Sequence, residues 1–234
     1  MKMKRFDGTE RLGDIVAAFP GASNLLKSSR IDFCCGGDRQ LDDVLEEKGM
    51  DKASFVAELY ALAKQAEERA AADIDWREAP LGELVDHIVQ KHHAYLEQEL
   101  PVLSGFVTKI LRVHGFSHPE LVELHKLFHQ AKVELEQHMI DEEANVFPLI
   151  KQAEQESDAA ARKQALDRIG ELEHEHETVG DLLKQMREIT SEYTLPEGAC
   201  TTYGLTFRKL EELESDTFEH VHLENNILFP RIGA

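Results

Sequence analysis

Two stretches of the chain carry the same pattern: HMIDEEANVFPLI from His138 to Ile150, and HVHLENNILFPRI from His220 to Ile232. Both read H-x3-E-x4-F-P-x-I. At i, i+4 spacing the histidine and glutamate stack on one face of a helix, so each segment presents an imidazole and a carboxylate side by side. This repeat constrains the fold, because a pair of such faces turned inward must be accommodated by the same core.

From Leu81 onward four long helical patterns run over 81–113, 119–147, 160–190 and 201–228, with breaks near Gly115 and Pro119, near Ser157 and across Leu195 to Gly198. Strand signals are nearly lacking. The expected fold is all-α: an up-and-down four-helix bundle at 81–234, preceded by a small helical domain at 1–66 and a polar linker at 67–80. In the small domain LGDIVAAF, ASNLLKSS, LDDVLEEKG and SFVAELYALAKQ are apolar-periodic runs separated by Pro20, Gly21, the CCGG stretch and Gly49. The 42% apolar content suffices for a core, while a net charge of -19 repels phosphate backbones and argues against nucleic acid as a partner. No apolar run reaches the length of a membrane span, and the start has basic residues without the apolar region of an export signal. Three cysteines, two of them adjacent, make a poor disulfide framework and point to a reducing cytoplasm.

Spacings of three and four give the inward seam of each bundle helix. The second runs Leu121, Leu124, Phe128, Ala131, Leu135, His138, Glu142, Asn145 or Val146, and Leu149; the fourth runs Leu210, Leu213, Thr217, His220, Glu224 and Ile227. The third runs Ile169, Leu172, His176, Val179, Leu183 and Met186, which leaves His174 on the surface. On the first helix His92 and His93 can each be phased with apolar neighbours. His93 precedes His138 by nearly the interval at which His176 precedes His220, which favours His93.

Four histidines and two glutamates would then face one interior. An ionised carboxylate buried without compensation is costly, and two facing each other are worse. A dinuclear metal centre resolves this: His93, His138, His176 and His220 each give one imidazole nitrogen, and Glu142 and Glu224 bridge. The nitrogen and oxygen donor set suits iron or manganese, permits zinc, and disfavours calcium and magnesium. An oxide or hydroxide bridge would leave one open position per metal. The other histidines, His87, His114, His118, His125, His129 and His222, read as surface or packing residues. Phe147-Pro148 and Phe229-Pro230 read as helix ends with a hydrophobic plug, because proline stops or kinks a helix. Glu134 and Glu175 lie close to the seam and could orient a ligand or pass ions and protons, although a solvated helix face is the plainer account of each.

On these residues the stretch from Leu81 to Ile232 resembles the hemerythrin-like di-iron family, and the whole chain resembles the Repair of Iron Centers family of bacterial stress proteins. DFCCGG at 32–37 is similar to the cysteine motif of its ScdA-type N-terminal domain, HMIDEE and HVHLENNILFPR to its carboxylate-bearing segments, and GACTTY at 198–203 to the start of its last helix. The resemblance implies two iron ions on the six residues named, with His93 preferred over His92. Oxygen-carrying hemerythrins have a fifth histidine on the third helix; here the neighbours of His176 are Leu172 and Gly180, which implies a more open and labile centre. Cys34 and Cys35 read equally as small buried hydrophobes or as thiols that bind iron, pass it on or exchange. The resemblance tips them toward function. It also implies repair of damaged iron-sulfur clusters by iron donation, with cluster proteins as clients and nitric oxide or oxygen as small ligands. A nitric oxide reductase and a gas sensor are the competing functions, and a homodimer is compatible with all three.

Overall fold

A computed structural model describes residues 6–69, 74–156 and 158–233. Among the described residues the chain is helical throughout, and no helix is long and apolar enough to cross a membrane. It divides into two compact units, one made of residues 1–84 with 218–234 and the other of 85–217. Residues 70–73 of the polar stretch expected as a linker lie outside the described residues.

In the unit of 85–217, α6 (Ala94–His114), α7 (Glu120–Asp141), α9 (Ala159–Ile189) and the first part of α10 (Thr201–Leu223) form the bundle. Helix α7 packs against α6 and α9. An ion pair between Lys209 and Glu99 joins α10 to α6, and Arg187 to Glu214 (3.4 Å) joins α9 to α10. The seam is apolar: Leu96, Leu100, Leu103 and Val107 from α6 and Leu121, Leu124 and Phe128 from α7 are fully buried, as are Leu172 and Leu183 from α9 and Leu210 and Leu213 from α10. Each such leucine contributes about 1.5–3 kcal/mol of burial, which is what makes the stripe, and not helix propensity, decide the fold. Asp158 caps α9 by accepting from the amides of Ala160 (2.8 Å) and Ala161 (3.1 Å), satisfying donors the helix cannot.

The bundle helices differ from the expected ones in one respect. Among the described residues, five-residue π-helical turns stand at Val89–His93 and Glu142–Val146 in this unit, and another at Glu224–Leu228 in the other unit. The second joins α7 to α8 (Phe147–Glu156), so the helix does not end at Phe147-Pro148 as expected but runs on to Glu156; α8 packs against α9. A π turn widens the helix by one residue and loosens its hydrogen-bond ladder, which accommodates a proline that has no N–H to give. The extra residue also advances the seam by one. Val146 and Ile150 are buried, where the uninterrupted period put Leu149 inward.

In the other unit, α1 (Leu12–Ala18), α2 (Ala22–Ser28), α3 (Leu41–Glu47) and α4 (Lys52–Arg69) surround Leu12, Ile15, Leu26, Leu41, Leu45 and Leu59, all fully buried. This unit also contains the Glu224–Leu228 π turn and α11 (Phe229–Gly233). Arg231 donates to the carbonyls of Trp76 (2.7 Å) and Ala79 (2.6 Å), closing the C-terminal segment onto the chain that precedes α5 (Leu81–Ile88). Phe229 is buried as the expected plug, but no helix end falls at Phe229-Pro230, because α11 carries the helix on to Gly233.

Candidate metal centre

Each π turn begins or ends on a ligand-type residue, with His92 and His93 closing the first, Glu142 opening the second and Glu224 opening the third. Such turns are rare and concentrate at functional sites, because the extra residue swings a side chain to an angle that a regular helix cannot reach. The first turn explains why the seam could not separate His92 from His93. Both are buried, and each finds a carboxylate: His92 Nδ1 lies 3.0 Å from Asp216, and His93 Nε2 lies 3.3 Å from Glu142.

Within the 85–217 unit, His93, His138, Glu142 and His176 come together. Glu142 is fully buried, and its Oε2 stands 3.3 Å from Nε2 of His93 and 3.3 Å from Nε2 of His138. Nε2 of His138 stands 2.9 Å from Nε2 of His176. The outer ring nitrogens are held by carboxylates that accept: His93 Nδ1–H donates to Glu143 (2.8 Å) and His138 Nδ1–H donates to Glu175 (2.7 Å). A neutral imidazole that gives its proton to an outer acceptor turns a bare lone pair inward. In its neutral form either His93 or His138 would present that lone pair on the side where Glu142 lies.

These donors fit a bound cation. Imidazole nitrogens and a carboxylate gathered in one buried space would all attract a cation standing among them. With metal–nitrogen bonds of about 2.1 Å, two imidazoles at right angles on one ion place their nitrogens about 3 Å apart, close to the 2.9 Å His138–His176 separation. The ligand atoms of His138, Glu142 and His176 lie within 4.8 Å of one another. In the other unit His220 and Glu224 form the equivalent pair, both buried, with Nε2 and Oε1 2.9 Å apart. His176 has Leu172 and Gly180 one turn away on either side, both buried and neither able to coordinate.

Among the other expected residues, Glu175 is the acceptor for His138, whereas Glu134 is half-buried and joins none of these pairs among the described residues. His174 is exposed. Sequence reasoning missed Glu143 and Asp216. Glu143 adjoins Glu142 in HMIDEE, and the only signal for it was that doubled carboxylate. Replacing the outer acceptors, Glu143→Gln or Glu175→Gln, should leave the helices intact and weaken metal retention by about 10–100-fold, since such partners fix the ring that ligates. Competition with a chromophoric chelator measures this, and unchanged retention in both variants would show that the rings need no outer anchor.

Cys34 and Cys35 lie in the other unit, on the turn that precedes α3. Asp32 Oδ1 accepts from the amides of Cys34 (3.1 Å), Cys35 (3.1 Å) and Gly36 (3.2 Å), and from the Cys34 thiol (3.2 Å). Cys34 is buried and Cys35 half-buried, with the sulfurs 3.9 Å apart. The hydrogen bond to the Cys35 sulfur, burial and the Asp32 carboxylate together hold the Cys34 thiol well above its ordinary range.

A helical bundle with inward imidazoles and carboxylates, repeated as H-x3-E on two helices, defines a hemerythrin-type cation-binding domain. Residues 84–232 match the family described as Hemerythrin HHE cation binding domain, and residues 8–63 match ScdA_N, a domain of unknown function. Over 223 residues, 95% of this chain and 96% of each relative, it is 37% identical to the iron-sulfur cluster repair proteins YtfE of Escherichia coli O157:H7 and Citrobacter koseri. It is 38% identical, with the same coverage, to that of Escherichia coli O81. The chain belongs to this YtfE family of hemerythrin-like proteins.

Proposed function

We propose that the protein repairs iron-sulfur clusters damaged by nitrosative or oxidative stress, giving up iron held on His93, His138, Glu142, His176, His220 and Glu224. The observation that carries this reading is the inward convergence of imidazole nitrogens on the buried Glu142, in a chain alike along nearly its whole length to proteins named for cluster repair. The H-x3-E repeat and the π turn at each glutamate support a shared role for the two pairs, with Glu142 and Glu224 bridging two ions and an oxide or hydroxide between them. Iron held there supplies an exchangeable, redox-active cation.

The protein's own residues decide how firmly the iron is held. Glu143 and Glu175 fix the ring orientation of His93 and His138, which favours binding. Leu172 and Gly180 withhold a further imidazole beside His176, which favours release. A donor needs both, since a centre too strongly held could not give up its metal. Damaged cluster proteins are the clients in this reading, nitric oxide or oxygen the small ligands, and the reducing cytoplasm the place.

Iron-loaded protein mixed with an apo-cluster protein is expected to lose iron in step with the cluster absorption regained. Clusters regained with no iron lost would overturn donation, and iron retained through many turnovers of added nitric oxide would favour the nitric oxide reductase. The double variant Cys34→Ser with Cys35→Ser should recover fewer clusters while the di-iron absorption stays as in the parent. Unchanged recovery would remove the thiols from the mechanism.

A further inference from the structure

We infer that Asp32, Cys34 and Cys35 form a second cation site, separate from the histidine and glutamate ligands and built for a thiophilic divalent ion. Two thiolates on one tetrahedral ion at about 2.3 Å place their sulfurs about 3.8 Å apart. The Cys34 and Cys35 sulfurs stand 3.9 Å apart without an ion. One ligand atom from each of Asp32, Cys34 and Cys35 falls within 4.8 Å of the others, so a carboxylate oxygen closes a third corner.

The loop is held in this form from outside. Asn226 Nδ2 donates to the carbonyls of Cys34 (3.0 Å) and Phe33 (3.4 Å). Its Oδ1 lies where a side chain on Gly37 or Gly13 would have to go, 2.1 Å and 2.3 Å from the β-carbon either would carry, so both positions require glycine for this close approach. The amide of Gly13 donates to Gly37 O (2.8 Å) and that of Leu12 to Arg39 O (2.9 Å), which closes the far side of the loop on α1. Two sulfurs on adjacent residues point the same way only if the peptide between them is fixed, and the Cys34 carbonyl that Asn226 grips belongs to that peptide.

Asn226 sits in the Glu224–Leu228 π turn, two residues past Glu224. One amide side chain therefore ties the thiol loop to the turn that carries a proposed iron ligand. Binding is a ligand exchange without redox change: two S–H bonds break and two metal–sulfur bonds form, waters leave the ion in exchange, and two protons go to solvent. The half-buried Cys35 leaves the fourth corner open to an incoming ligand. The site stands whether or not the protein donates iron to clusters, because it rests on the thiol geometry alone.

The test uses reduced, metal-free protein carrying Cys200→Ser, which removes the third, exposed thiol, titrated with Co²⁺. Thiolate-to-cobalt charge transfer reports sulfur ligation and is silent to cobalt on histidine and glutamate. Expected is one such cobalt per chain with two thiolates, lost when Cys34→Ser or Cys35→Ser is added while the helical circular dichroism is unchanged. Asp32→Asn keeps an oxygen to accept the turn's amides but removes the charge, and should weaken this cobalt by about 10–100-fold. No charge transfer in folded Cys200→Ser protein, or the same band in the variant lacking all three thiols, would overturn the site.

Discussion

Glu142→Leu is expected to bring bound iron down from the two ions per chain proposed above to one or none, while the metal-free protein becomes more stable. The two effects have one cause. Glu142 is fully buried, with Nε2 of His93 and of His138 each 3.3 Å from its Oε2. Without metal, holding a carboxylate fully buried carries a desolvation penalty that its surroundings repay only in part. Leucine of similar size removes that penalty and leaves neutral rings behind, so the apo-protein should gain about 1–4 kcal/mol. With metal the balance reverses, since the carboxylate is the anionic ligand that compensates the cation's charge. Metal analysis and thermal unfolding of the metal-free forms check the two halves separately. Two ions retained in Glu142→Leu would remove the residue from the ligand set, and a lower apo stability would mean that Glu142 is a structural acceptor.

The seam was legible because burial follows the 3.6-residue period wherever the helix is regular. Leu121 to His138 on α7 and Leu210 to Glu224 on α10 with its following turn are inward as the spacing predicts. The period fails at the π turns, which have no signature in residue type. It therefore placed Leu149 where Ile150 lies, left His92 and His93 undivided, and ended a helix at Pro148 that continues to Glu156. Each failure falls beside a ligand-type residue, where the backbone departs from regularity. Long-range anchors were illegible for another reason. Nothing local to Asn226 indicates that its amide reaches Cys34, because that contact depends on tertiary folding.

Phe33→Ala should cost the unit that contains it about 3–5 kcal/mol, the range for emptying an aromatic site in a core, and should free the thiol loop. Phe33 is 1% exposed, and its ring meets Phe218 edge-on at 6.2 Å and His222 at 5.8 Å. His222 acts there as a neutral ring, since burial lowers its pKa to about 4. The loop next to Phe33 has two kinds of restraint: this ring, and the hydrogen bonds from Asn226 and to Asp32. Each hydrogen bond contributes about 1 kcal/mol net, so the ring outweighs any single one of them. Alkylation of Cys34 in the Cys200→Ser background should accordingly quicken far more in Phe33→Ala than in Asn226→Ala. Equal acceleration in the two variants would mean that the amide keeps the sulfur covered as strongly as the ring does.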